Sequence, residues 1–198
     1  MERQLILASA SPRRRELLEK LDIRFEIRPA FVDESPLPGE DASTYPLRTA
    51  VKKAMAVAEH LGKEEEALVV AADTVVVIDD DILGKPADVE EAKAMLSRLA
   101  GREHIVITGL GLVDTRSGRT LSAAEQTIVY FNAFSEAQID AYVATGEPLD
   151  KAGAYGIQGK GSLLVRKIDG DFYNVMGLPL SRLDRLLAKL DLNLLSFS

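Results

Sequence analysis

The stretch ALVVAADTVVVI, residues 67–78, decides the fold. It is dense in β-branched residues and predicts a buried strand. Asp73 and Thr74 interrupt its apolar run. A buried, unpaired carboxylate is costly, so Asp73 needs a cation, several hydrogen bonds or an exposed strand end. An Asp that merely caps a turn at a strand terminus is the plain alternative, which the continuation Val75–Ile78 weakens. Strands with polar residues at a ligand-facing end are common in α/β enzymes.

Upstream, QLILAS (4–9) is a short apolar strand, and Ser11 with Pro12 opens a helix to about Leu21. A polar segment follows with VDES (32–35), Pro36, Pro38 and Gly39. From Thr44 to Leu61 an apolar stripe through Leu47, Ala50, Val51, Ala54, Ala58 and Leu61 has helical spacing, with Gly62 placed to end it. Downstream, ILGKP (82–86) is a loop, and Asp88 with Glu91 forms a capping-box signature for a helix closed by Gly101.

HIVITGLGLVD and TLSAAEQTIVYFNAF predict two long strands joined across Thr115–Arg119. Ser135 with Gln138 starts another capped helix, ending near Gly146. A glycine-punctuated loop, EPLDKAGAYGIQGKG, leads to a strand in SLLVRKI, a turn at Asp169–Asp171 and a last helix opened by Pro179. There is no repeat, low-complexity linker or clear domain boundary, so the expectation is one domain over 1–198, built as an α/β mixed sheet with flanking helices.

The 198 residues carry a net charge of −7, so the surface as a whole does not attract nucleic acid, and an anion site must be a local island of Lys and Arg. The absence of cysteine excludes disulfides, thiolate metal sites and Cys nucleophiles. Two histidines, His60 and His104, cannot make a multi-histidine zinc site and read as structural; a metal here should be a hard cation held by oxygen, magnesium or manganese. Residues 1–8 show no signal-peptide pattern and no apolar run approaches a membrane span, so the expected location is cytoplasmic.

The first helix poses an electrostatic question, because Arg13, Arg14 and Arg15 load its partially positive end. At 100° per residue, Arg14 shares a face with Leu18 and Leu21, Arg13 lies above Leu17, and Arg15 lines up with Glu19 and Asp22. Arg15 is therefore an ordinary partner of Glu19. Arg13 and Arg14, with Ser9, Ser11 and free helix N–H groups, would make a phosphate site, or else pair with carboxylates elsewhere.

Lys53 flanks the apolar stripe of its helix while Lys52 points nearly opposite, and Lys85 sits between Gly84 and Pro86. Gly153, Gly156, Gly159 and Gly161 let a backbone approach a ligand closely, and Gln158 could read a base edge. None of these segments is a dinucleotide fingerprint, a Walker A motif, a nucleophile elbow or an HExxH site.

Taken together, SASPRR (9–14), AADTVV (71–76), LGKP (83–86) and TGEPLDKAGAYGIQGKG (145–161) resemble the Maf family of nucleoside triphosphate pyrophosphatases, with VDES and DFYNVMGLPL (171–180) extending the likeness over almost the whole chain. The resemblance implies a long mixed sheet with flanking helices and a cleft between two lobes, related to inosine triphosphate pyrophosphatases and usually homodimeric. It implies hydrolysis between the α and β phosphates with a divalent cation, Mg2+ or Mn2+. SASPRR with DKAGAYGIQG resembles the branch acting on dTTP and UTP, and reads unlike the 7-methyl-GTP branch.

Carried over by position, Asp73 matches the proposed general base, while Arg13, Thr74 and Gln158 match positions tied to nucleotide choice. Glu34, Lys53 and Lys85 match further cleft residues, with Glu34 a metal ligand beside Asp73. Ser9 and Arg14 join the substrate set. The expected partners are a nucleoside triphosphate and a second copy of the chain, with neither nucleic acid nor membrane. A non-catalytic regulator of cell division acting through a protein partner is the alternative from a different class.

Overall fold

Residues 67–78 form a strand over the full length expected. The computed structural model describes residues 3–62 and 65–198; Met1 and Glu2, part of the N-terminal stretch read for a leader, lie outside the described residues, as do Lys63 and Glu64. In chain order the elements are β1 (Gln4–Leu7), α1 (Pro12–Glu19), β2 (Glu26–Ile27), α2 (Tyr45–Ala58), β3 (Ala67–Ile78), β4 (Asp81–Leu83), α3 (Val89–Leu99), β5 (Glu103–Asp114), β6 (Arg119–Phe131), α4 (Glu136–Val143), β7 (Val165–Asp169), α5 (Phe172–Val175) and α6 (Leu180–Ala188). The seven-stranded sheet has the order β2-β1-β3-β5-β6-β7, with β4 paired to β3. It is mixed: β1 runs parallel to β2 and β3, whereas β4 on β3 and β7 on β6 are antiparallel.

Two compact units share the chain. The first comprises Met1–Asp73, Thr108–Glu125 and Gly177–Ser198; the second comprises Thr74–Ile107 and Gln126–Met176. In the first, Ala67, Val69 and Ala71 of β3 pack with Ala54 and Val57 of α2. The two periodicities explain the pairing, because alternate strand residues share one face while helix positions 50, 54 and 57 share one stripe.

β5 makes the fit unusually close. Gly109 and Gly111 lie two residues apart and so face the same side, where a Cβ on Gly111 would stand 2.6 Å from the carbonyl oxygen of Ala50, and one on Gly109 would strike the backbone of Pro46. Only a bare strand admits α2 at this height.

In the second unit, Leu96, Leu99, Val129, Phe131, Tyr142 and Tyr155 belong to one buried cluster. Asp88 caps α3 by accepting from Glu91 N, but the Glu91 carboxylate turns to Ala87 N instead of closing the box on Asp88. Ser135 and Gln138 form the complete reciprocal box.

Three expectations shift. Ile82 and Leu83 leave the expected loop and, with Asp81, pair with β3, because the chain reverses through Asp79 and Asp80, both at positive φ. The expected SLLVRKI strand begins only at Val165, since Gly159–Leu163 coils into a 3-10 turn. A short helix, α5, follows Asp171, whose carboxylate accepts from Tyr173 N and Asn174 N.

Candidate active site

Asp73 continues the alternation of Ala67, Val69 and Ala71, so β3 delivers its carboxylate to the side on which α2 packs. There it meets Lys53, one position before Ala54 on the buried stripe. Lys53 Nζ donates to Asp73 Oδ1 at 2.8 Å and to Glu34 Oε2 at 2.7 Å. Lys53 and Asp73 are each only 8% exposed. Burial pushes the Asp73 carboxyl above its ordinary value, outweighing the opposing pull of Lys53 and the more distant Arg14. The cost anticipated for a carboxylate inside β3 is met by an ammonium from α2.

Glu34 lies outside any regular element, yet it is well anchored. Three consecutive carbonyls around it are held by one face of α2: Lys52 Nζ donates to Asp33 O at 2.7 Å, the Tyr45 hydroxyl to Glu34 O at 2.7 Å, and Arg48 Nη2 to Ser35 O at 3.1 Å. The Asp33 carboxylate adds an acceptor for Ser35 N at 2.9 Å. Sequence reasoning overlooked this clamp. Its signal is the spacing of Tyr45, Arg48 and Lys52, which recur on one helical face opposite a loop without structure of its own.

The arginines of α1 divide as their angular positions predict. Arg15 Nε donates to Glu19 at 2.7 Å on the exposed side. Arg14 Nε donates to Gly177 O at 2.7 Å, and its Nη1 to Ser9 Oγ at 3.1 Å, so part of its hydrogen-bonding capacity serves the fold. Desolvation lowers the proton affinity of the Arg14 guanidinium, with the negative Asp73 opposing and the neighbouring Arg13 assisting. Ser11 occupies the N-cap position without a side-chain cap bond; its backbone N–H instead donates to Ser9 Oγ at 3.2 Å. Arg13 is half-buried beside Arg14.

Thr74, Lys85 and Gln158 belong to the second unit, with Lys85 and Gln158 exposed and Thr74 half-buried on β3. The loops carrying Lys85 and Gln158 are joined upstream, where Gly153 N donates to Gly84 O at 3.0 Å. Gly153 takes φ +67°, and a Cβ there would press on Val76 at 2.8 Å, so glycine is required. His104 is structural: it is buried, its Nε2 is 2.8 Å from the Tyr155 hydroxyl, and burial lowers its pKa to about 4. His60 is exposed, with Nδ1 2.6 Å from Ala56 O.

Among the described residues no group of three or more His, Cys, Asp or Glu gathers as a metal cage. The Glu34–Asp73 pair nevertheless suits a magnesium-like ion, which takes one or two carboxylates and completes its shell with water and substrate phosphates. The Lys53 ammonium hydrogen-bonded to both carboxylates marks the place as one built for positive charge.

The sequence matches the family model described as Maf-like protein over residues 4–190. A dTTP/UTP pyrophosphatase of Methanosarcina barkeri (strain Fusaro / DSM 804) is 48% identical over 188 residues, covering 94% of each chain. Another, from Dictyoglomus thermophilum (strain ATCC 35947 / DSM 3960 / H-6-12), is 42% identical over 196 residues, or 98% of this chain and 100% of that one. A solved dITP/XTP pyrophosphatase from Mycobacterium abscessus aligns over 94% of both chains at 13% identity and TM-score 0.45, a distance at which the likeness adds nothing. With a family match spanning nearly its whole length, the chain belongs to the Maf-like proteins.

Proposed function

We propose that this chain is a nucleoside triphosphate pyrophosphatase that hydrolyses dTTP and UTP, and modified pyrimidine triphosphates with them, between the α and β phosphates to give the monophosphate and pyrophosphate. The observation that carries the reading is the buried Asp73 held by Lys53 beside Glu34, in a chain whose relatives bear that activity in their names. A house-cleaning role, removing unwanted nucleotides, follows from such a specificity.

In this reading Asp73 takes the proton from the attacking water. Burial strengthens it as a base, while Lys53 keeps it ionised and aimed. Arg13, Arg14 and Lys85 bind phosphate oxygens, which is most of what phosphoryl transfer asks of a protein. Thr74 and Gln158 select the base, and Ser9 holds Arg14 in place. Glu34 and Asp73 would hold Mg2+ or Mn2+, which when bound supplies charge neutralisation and lowers the pKa of coordinated water. Asp73 cannot serve fully as ligand and as free base, so Glu34 takes the larger share of ligation.

The chain works as one domain over 1–198, as a homodimer in the cytoplasm, without nucleic acid or membrane partners. Among the described residues no helix is long and apolar enough to cross a membrane. The test is a panel of nucleoside triphosphates with and without magnesium, with products separated. Pyrophosphate and UMP or dTMP support the reading. Orthophosphate and a diphosphate, or no turnover of any nucleotide, overturn it.

A further inference from the structure

Glu147 lies outside every residue so far assigned to the reaction, yet it organises the loop that carries Gln158. Its Oε1 accepts from Gly161 N at 2.9 Å and from the Tyr142 hydroxyl at 3.0 Å, while Oε2 accepts from Lys160 N at 3.0 Å. The Tyr142 hydroxyl in turn accepts from Gly156 N at 3.1 Å. Backbone groups on both sides of Gln158, at 156 and at 160–161, therefore converge on one carboxylate and its phenolic partner. Successive N–H groups aimed at one point form an anion-binding concavity, filled here by an anion from the same chain.

The glycines of the loop leave the room that the carboxylate and its phenolic partner occupy. Gly159 takes φ +69°, and a Cβ there would stand 2.9 Å from Glu147 Oε2. At Gly161 a Cβ would lie 2.6 Å from the Tyr142 hydroxyl. Lys151 Nζ pins the other end of the residue, donating to Glu147 O at 2.6 Å. Burial raises the carboxyl's proton affinity, but the hydrogen bonds from Gly161, Lys160 and Tyr142 outweigh it and keep Glu147 ionised.

We infer that Glu147 is a positioning residue for base selection, holding the 156–161 loop so that Gln158 presents its amide to the pyrimidine of the substrate. This rests on the pyrophosphatase reading and on Gln158 as its base reader. Glu147 itself touches no substrate. A carboxylate and its phenolic partner that together grip the backbone on either side of a recognition side chain fix that side chain's placement without altering the reacting centre.

The test compares Glu147→Gln, Tyr142→Phe, Gln158→Ala and the double variant Glu147→Gln/Gln158→Ala, with kcat and KM measured for UTP and for a purine triphosphate. Glu147→Gln is expected to raise KM for UTP about tenfold with kcat within about threefold, and to narrow the preference for UTP. Tyr142→Phe, which keeps the packing and loses two hydrogen bonds of the clamp, should shift the preference in the same direction. In the Gln158→Ala background Glu147→Gln should narrow the preference no further.

If Gln158→Ala loses the preference while Glu147→Gln and Tyr142→Phe keep it, the role of Glu147 is overturned and the base-reading role of Gln158 survives. If Gln158→Ala keeps the preference, the base reader falls and the inference with it. A wild-type protein that turns over no triphosphate removes both together with the pyrophosphatase reading. Equal loss of kcat for both substrates in Glu147→Gln and Tyr142→Phe, with lowered Tm, would mark the clamp as structural only.

Discussion

Lys53 Nζ stands 2.8 Å from Asp73 Oδ1, joining the buried stripe of α2 to the one carboxylate inside β3. Glu34 completes the arrangement from the other side of the ammonium at 2.7 Å. Three segments far apart in sequence thus share a single proton-rich group. Replacing Asp73 with Asn keeps its shape and removes both its charge and its ability to take a proton. Asp73→Asn is expected to lower the rate of pyrophosphate release ~100- to 1,000-fold with little change in Tm. Near-normal turnover by this variant would sink the assignment of Asp73 as the base.

The pH profile should carry the same signature. Because the Asp73 pKa is raised by burial, kcat/KM should fall on the acid side through a pKa higher than that of an ordinary aspartate. Lys53 opposes that rise through its charge and hydrogen bond. Lys53→Met therefore moves the acid limb to still higher pH, as a pH series of initial rates on the variant will show. A limb that stays in place would mean that another group governs it.

The clamp on Glu34 predicts a different kind of defect. Tyr45→Phe deletes the hydroxyl that donates to Glu34 O and leaves the ring in place. About tenfold more magnesium should be needed for half-maximal activity, with kcat at saturating metal nearly unchanged. Titration of the metal at fixed UTP separates this from a loss of nucleotide affinity.

His104 gives the fold its own pH dependence. Its folded-state pKa of about 4 lies below the ordinary histidine value, so between about 6.5 and 4 the unfolded chain binds the extra proton. Stability is therefore lost as pH falls through that window. Between pH 7 and 5 the loss from this group is about 2 kcal/mol. Urea unfolding of wild type and of His104→Phe at both values checks it, the variant losing correspondingly less between them.

Much of this was legible beforehand, for reasons that differ by element. β3 could be read from composition because a β-branched run in a sheet interior has few other fates. The division of Arg13, Arg14 and Arg15, and of Lys52 from Lys53, followed from angular position alone. The destination of each side chain did not. That Arg14 would spend itself on Gly177 O, or Lys52 on Asp33 O, depends on which distant backbone the fold brings near. The start of β7 was misplaced because glycines at 159 and 161 favour a turn held by Glu147, thirteen or fourteen residues away. β4 was missed because three residues are too few to show a period.

Gly109 and Gly111 bring the last prediction. Gly111→Ala would set a methyl group 2.6 Å from Ala50 O, against a helix backbone that has no rotamer to change. The expected loss is about 3 kcal/mol in urea unfolding. Activity should fall further than that instability explains, because α2 also carries Lys53, Tyr45, Arg48 and Lys52. At Gly109 and Gly111 β5 acts as a gauge block: its thickness there, with no atoms beyond the main chain, sets how deep the helix rests and hence where the ammonium ends. The precision of a charged cluster is here machined by the absence of side chains on a neighbouring strand.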